Sequence, residues 1–259
     1  MAAAPRTTAL GDHRLNRIGL GTNRLTYSAE NRSFLKVAVD AGVNFIDTAH
    51  VYTGGESEST IGAVLAPFPE DLVIATKGGY HPGGGTEGLR RQLEESFERL
   101  QTDTIVLYYL HRVDPDIPLE RTMSLLKEYR DAGRITHVGL SEVSVEQIQR
   151  ARSVVPIAAV QNEYNLSERR YDDVVDYCAS ESLVFVPFYP LGGGEPPALA
   201  EIAERYDASL GQIRLAWLLH RSPAVVPIPG TLSIEHLKEN LAALEIELSG
   251  EDFETLSAA

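Results

Sequence analysis

The chain has one cysteine, Cys178. A single thiol excludes an intrachain disulfide and suits a reducing compartment, so a cytoplasmic location is expected. Cys178 falls in a helical pattern, Asp176-Tyr177-Cys178-Ala179, and reads as a buried, inert thiol rather than a nucleophile. Long apolar runs are also missing. None reaches the ~18 residues of a membrane span, and residues 1–6 lack the apolar core of a secretory signal. Basic residues are scarce, 23 against 37 acidic, for a formal charge of -14. A field of that sign repels nucleic acid and anionic membrane surfaces, so neither is expected as a partner. Any anionic ligand must therefore be held by local features. No G-x-G-x-x-G follows a strand-like run, and the glycine-rich Gly79-Tyr80-His81-Pro82-Gly83-Gly84-Gly85 lacks the Lys-Ser/Thr of a phosphate loop. No linker, low-complexity stretch or charge run divides the 259 residues. One domain spanning all of them is expected.

What is present is strand-helix alternation from end to end. Thr7 to Leu10 and His13 to Asn16 flank Gly11-Asp12 and read as a short N-terminal β-hairpin. Strands follow at 18–22, 43–47, 72–77, 105–111, 135–141, 157–161, 183–188 and 224–227, several of them near-continuously apolar, as buried parallel strands are. Helical spacing fills the intervals: 34–39 closed by Gly42, 59–65, 89–100, 119–132, 144–152, 171–181, 197–206, 209–220 and 234–242, with a short terminal helix at 251–256. Ser144 and Gln147 have the spacing of a capping box, and Ser233 that of an N-cap. Eight strand-helix units in this length predict an α/β fold, a (β/α)8 TIM barrel preceded by the hairpin.

Polar residues stand where the strands should end: Asp47, Lys77, His111, Ser141 and Gln161. In a parallel barrel these ends share one face, so separated residues become one ring. Tyr52 follows Asp47 in a loop. A phenol titrates near ~10 unaided and needs a cation beside it to work as an acid or base at neutral pH. Lys77 supplies that cation, Asp47 can hold Lys77 by a charge-assisted bond, and His111 can direct a substrate oxygen toward the phenol. Taken singly, each residue has a plain reading: an Asp capping a turn, a solvated Lys, a satisfied loop His, a Tyr that packs. Their coincidence at one end of one barrel favours chemistry.

Asp47 with Tyr52, Ala75-Thr76-Lys77 and Leu110-His111 resembles the catalytic tetrad of the aldo-keto reductases. The similarity continues, in order, through Val138-Gly139-Leu140-Ser141, Val160-Gln161-Asn162-Glu163-Tyr164-Asn165, Pro187-Phe188-Tyr189-Pro190-Leu191-Gly192 and Glu239-Asn240. The resemblance implies NAD(P)H-dependent reduction of a small aldehyde or ketone, without metal. Tyr52 would be the general acid, assisted by Lys77 and Asp47, with His111 orienting the carbonyl. Ser141 and Gln161 would hold the nicotinamide amide, and Phe188 would stack on the ring. Gly21, Thr22, Pro190, Leu191 and Gly192 would complete the cofactor groove, and Gly230, Thr231, His236, Glu239 and Asn240 would grip the adenosine phosphate. Asn23, Arg24, Leu25, Tyr80, Arg112 and Tyr189 are the expected substrate walls.

Four departures from the family pattern shape the expectations. Glu142 stands where members commonly carry Asn, Phe188 replaces a frequent Tyr, and His236 takes the place of an Arg for the 2′-phosphate. The chain also ends at Ala259, without the long C-terminal loop of many members. An open substrate pocket, a moderate preference for NADPH with NADH possible, and a monomer are expected. Two competing readings keep the same fold: Schiff-base lyase chemistry on Lys77, and a non-catalytic subunit that senses cofactor for a partner.

Overall fold

The structure is a computed structural model and describes residues 4–80 and 85–258. Most of the glycine-rich stretch after Tyr80 lies outside the described residues, as do residues 1–3. The predicted hairpin is present. Strands β1 (Thr7–Leu10) and β2 (His13–Asn16) pair antiparallel, Thr7 opposite Asn16 and Leu10 opposite His13. Gly11 turns the chain at φ 56°, and its bare Cα packs on the His137 ring, where a Cβ would come within 2.4 Å. Only glycine meets both demands.

Seven parallel strands follow in sequence order: β3 (Leu20–Gly21), β4 (Phe45–Asp47), β5 (Val73–Gly78), β6 (Ile105–Leu110), β7 (Ile135–Ser141), β8 (Ile157–Gln161) and β9 (Val184–Phe185). The eighth stave, expected at 224–227, is present as a path without a continuous ladder. Bridges Phe185–Val225 and Gly21–Gly230 join it to both neighbours. Phe185 N–H donates to Ala224 at 2.9 Å, Val226 N–H to Phe185 at 2.8 Å, and Gly19 N–H to Pro227 at 3.0 Å. Pro223, Pro227 and Pro229 have no N–H to return, so the pairing there is one-sided. The sheet nevertheless closes into the predicted TIM barrel.

Helices α1 (Ala29–Asp40), α2 (Glu56–Leu65), α3 (Gly85–Leu100), α4 (Leu119–Asp131), α5 (Val145–Arg152) and α6 (Asp172–Ser180) pack between consecutive strands. After β9 come α7 (Pro197–Arg205), α8 (Leu210–Arg221), α9 (Ile234–Ala242) and α10 (Gly250–Ala258). The capping box at Ser144–Gln147 and the Ser233 cap are formed. A second box, Ser209 with Gln212, starts α8. Among the described residues no helix is long and apolar enough to cross a membrane.

The apolar core has two layers. The larger lies between sheet and helices; the inner one fills the barrel with Phe45, Val73, Ala75, Leu107, Tyr109, Ala159, Val184 and Val226. Leu10 and Leu15 of the hairpin belong to the inner layer, so the hairpin plugs the end where the strands begin. The opposite end, where they finish, stays open. Arg17 fastens the closing seam. It is fully buried and donates to the carbonyls of Pro5 (3.0 Å), Leu219 (2.8 Å), Ser222 (2.5 Å) and Val225 (3.1 Å). Burial lowers its pKa to about 10, still charged at neutral pH.

Candidate active site

Asp47 ends β4, Lys77 lies near the end of β5, and His111 is the first residue beyond β6. The register sets Asp47 beside Ala75 and Gly78 beside Leu110, which draws the three side chains to one mouth of the barrel. Tyr52 arrives by a different device. It opens a 3-10 turn, Tyr52–Gly55, whose Thr53, Gly54 and Gly55 all take left-handed conformations. For Thr53 this is costly. Its hydroxyl donates to the Leu25 carbonyl at 2.8 Å, which helps to hold the turn.

Lys77 is the hub. Its ammonium donates to Asp47 Oδ1 at 2.6 Å, to the Thr48 carbonyl at 2.8 Å and to Tyr52 Oη at 3.2 Å. All three N–H groups therefore have acceptors, and the side chain has 0% exposure. Burial alone would lower its pKa, but the attraction of Asp47 and Tyr52 outweighs that and holds it above the usual lysine value. The amine is charged. Asp47, 1% exposed, is pushed up by burial; the ammonium and a 2.7 Å bond from Gln161 Nε2 pull the other way. The His111 ring meets Tyr52 edge-on at 6.0 Å, and the Tyr80 ring lies 4.7 Å from His111.

A cleft of about 740 Å³ opens above this group. Its walls include Gly21, Thr22, Asn23, Arg24, Arg112, Ser141, Phe188, Tyr189, Pro190, Leu191, Gly192 and Gly230, all anticipated from sequence. It also reaches Gly193, Ile228 and Pro229, which were not. Two expected walls do not line it: Tyr80, whose ring packs 4.7 Å from that of His111, and Leu25, which is fully buried in the outer core. Its position beside Asn23 and Arg24 suggested a loop, but an apolar side chain that can reach the core goes there. Thr231, His236, Glu239 and Asn240 do not line the cleft. They sit beyond Gly230, at and within α9, where Ser233 accepts the His236 N–H at 3.3 Å and His236 is exposed. Glu142 turns away as well. It takes a left-handed φ of 56°, and its Oε1 accepts the Glu163 N–H at 2.7 Å. Asn162 clasps the same loop through Val143, accepting at 3.1 Å and donating at 2.8 Å.

Arg214, which sequence reading overlooked, holds the cleft's glycine loop. Buried in α8, it donates to the carbonyls of Gly192 at 2.8 Å and Gly194 at 2.6 Å. No local signal marks it, since its partners are backbone atoms of another segment.

The donor set fits a carboxamide. The Asp47 carboxylate can only accept, so Gln161 must present Nε2 to it, which turns Oε1 outward as an acceptor. Ser141 Oγ accepts from Arg112 at 3.1 Å and keeps its own O–H to give. One acceptor and one donor match the N–H and C=O of a nicotinamide amide. Phe188, half-buried in the wall, offers an aromatic face beside them.

Comparison with known proteins agrees with this geometry. The model of the Aldo/keto reductase family matches residues 17–259. An uncharacterised oxidoreductase of Schizosaccharomyces pombe is 37% identical, over 98% of this chain and 90% of its own length. Pyridoxine 4-dehydrogenase of Escherichia coli is 33% identical over 96% of each. Among solved structures, a thermostable aldo-keto reductase bound to epalrestat superposes with TM-score 0.89 and 34% identity, covering 97% of this chain and 98% of that one. An aldo-keto reductase of Klebsiella pneumoniae in complex with NADPH gives 0.87 and 30%, covering 98% and 94%. The chain belongs to the aldo/keto reductase family of oxidoreductases.

Proposed function

We propose that the protein reduces aldehydes or ketones to alcohols with a nicotinamide cofactor, and that Tyr52 gives the proton. The observation that carries this reading is the position of the Lys77 ammonium, bonded to Asp47 on one side and to the Tyr52 hydroxyl on the other. Gln161, Ser141 and Phe188 would hold the nicotinamide group, which when bound would supply hydride for the substrate carbon. Tyr52 transfers its O–H proton to the carbonyl oxygen, and Lys77 stabilises the negative charge left on the phenol oxygen. Asp47 keeps the ammonium charged and aimed. His111, edge-on to Tyr52, fixes where the carbonyl oxygen sits. The reverse direction uses the same groups, with Tyr52 accepting the proton.

The Schiff-base alternative needs a neutral, accessible amine. Lys77 is charged, buried and bonded three times, which counts against it. The test is loss of NADPH or NADH absorbance on adding aldehydes, with pyridoxine and NADP tried in the oxidative direction because a relative is named for it. Reduction by the wild type that is lost in Tyr52→Phe supports the proposal. Full activity in that variant refutes the role of Tyr52. A moderate preference for NADPH, held at Gly230, Thr231, His236, Glu239 and Asn240, and a monomeric state belong to the same proposal.

A further inference from the structure

Arg112 leads the chain away from His111 and lines the cleft, yet the proton chemistry makes no use of it. Its Nη1 donates to the His111 carbonyl at 2.6 Å and to Ser141 Oγ at 3.1 Å. Its guanidinium carbon lies 5.5 Å from the Tyr80 ring centre and 6.0 Å from that of Phe188. Two bonds and two aromatic faces hold the fork in one place.

Among the described residues, Arg112 forms no ion pair, and its Nε and Nη2 have no hydrogen-bond acceptor. Several arginines on the outer surface are placed differently. Arg150 and Arg152 of α5, and Arg134 in the bend before β7, each meet a glutamate within 2.8 Å. In a chain with 37 acidic residues, no carboxylate among the described residues neutralises this cation in the cleft wall. Nε and Nη2 form the edge that takes a carboxylate in two parallel bonds. Arg24, also in the cleft wall, is differently placed, with its Nη2 bonded to the Gly230 carbonyl at 2.9 Å.

We propose that Arg112 selects carbonyl substrates that carry a carboxylate, binding that group through Nε and Nη2 while the carbonyl lies at Tyr52 and His111. This rests on the carbonyl-reductase reading above. An overall negative protein field then acts as a filter. Anions gain entry where one fixed guanidinium offsets the repulsion.

The probes are 4-carboxybenzaldehyde and its methyl ester, which share a shape and differ in charge. In the wild type, kcat/KM for the acid is expected to exceed that for the ester by about 10–100-fold, mainly through KM. In Arg112→Met that ratio should fall toward one. Both rates come from the same enzyme, so general damage cancels. Arg112→Lys keeps the charge without the fork and should fall between. A second arm needs no turnover: calorimetric titration with benzoate and benzamide. Benzoate should bind the wild type, more weakly as salt rises, and lose affinity in Arg112→Met; benzamide should not bind.

Equal kcat/KM for acid and ester in the wild type overturns the proposal. So does benzoate binding that survives Arg112→Met in a variant folded by circular dichroism. Weaker NADPH binding in Arg112→Met with an unchanged acid-to-ester ratio also overturns it, by placing Arg112 on the cofactor. Benzoate binding that depends on Arg112, in a protein that reduces no aldehyde, would refute the reductase reading and keep the carboxylate site.

Discussion

Replacing Lys77 with Met keeps most of the side chain's bulk and removes its charge. Two losses of different kinds are expected. The first is in stability. Asp47, 1% exposed, keeps only the Gln161 bond at 2.7 Å. Removing one partner of a buried ion pair costs ~3–5 kcal/mol, which is ~6–20 °C in Tm for a chain of this size. The loss should depend on pH. Burial already holds the Asp47 carboxyl above its ordinary value, and without the ammonium it rises further. A carboxyl raised in the folded state contributes stability that is fully present below the unfolded value of ~3.9 and lost as pH climbs through the folded value. The gap in Tm between wild type and Lys77→Met should therefore be wider at pH 8 than at pH 5.

The second loss is in rate. The proton leaving Tyr52 leaves charge on an oxygen 3.2 Å from the ammonium. At an effective dielectric of ~20, a full charge there gains ~5 kcal/mol. With about half of it developed in the transition state, removing Lys77 costs ~2.5 kcal/mol, or ~10²-fold in kcat, within the range of general acid catalysis. The double variant Lys77→Met/Asp47→Asn separates the two losses. It leaves no unpaired buried charge at positions 47 and 77, so most of the stability should return while the rate stays low. Thermal unfolding followed by circular dichroism, together with NADPH oxidation at saturating aldehyde, reads both. A single variant with the wild-type rate, or a double variant no more stable than Lys77→Met, would refute the reasoning.

Tyr52→Phe should lower kcat by ~10²–10⁴-fold and leave the cofactor Kd, read by fluorescence titration, within about twofold. His236→Arg should tighten NADPH in the same titration and leave NADH unchanged, because only the former brings a 2′-phosphate for the fork to grip; no change in either would remove the first turn of α9 from cofactor recognition. Arg17→Met leaves buried carbonyls on Leu219, Ser222 and Val225, and the part-buried one on Pro5, short of a donor and should cost at least ~3 kcal/mol in a urea titration. Burial, then the nearby His13 and Arg130, lower the pKa of His137 beneath the hairpin, with Asp12 opposing. Its stabilising contribution is thus complete above ~6.5 and lost as pH falls through the folded value. The Tm of wild type relative to His137→Gln should therefore drop between pH 7.5 and 5.5, and a constant difference would exclude His137 as the cause.

Most strands were legible because parallel strands buried on both faces read as apolar runs, and the site was legible because each run ends on a polar residue. Asp47, Lys77, His111, Ser141 and Gln161 are spread over more than a hundred positions, and the closed sheet alone brings them to one mouth. What stayed hidden depends on contacts that carry no local pattern. Arg17 and Arg214 look like ordinary surface cations until the backbone carbonyls they bind, in one case about two hundred residues away, are in place. Leu25 shares a loop with true cleft residues, and only packing sends it inward. The 224–227 stave was found by its valines, whereas its one-sided pairing follows from prolines whose neighbours are known only after closure.

The two halves of the barrel differ in a way that bears on the site. The residues proposed to handle the proton stand on β4, β5 and β6, where Asp47, Lys77 and the residue before His111 lie within or directly behind unbroken ladder. The proposed cofactor wall, 188–193 with 228–230, lies beside the two-residue β9 and the proline-bearing closing stave. Few reciprocal N–H bonds define that seam, and arginines on carbonyls do the fastening instead, Arg17 below and Arg214 and Arg24 above. Proton transfer tolerates little misplacement of donor and acceptor, so dense ladder suits the side that performs it. Cofactor must enter and leave on every turnover, and a wall with a sparse ladder can open at small cost. Side-chain clamps on backbone oxygens return such a wall to the same place without stiffening it along its length.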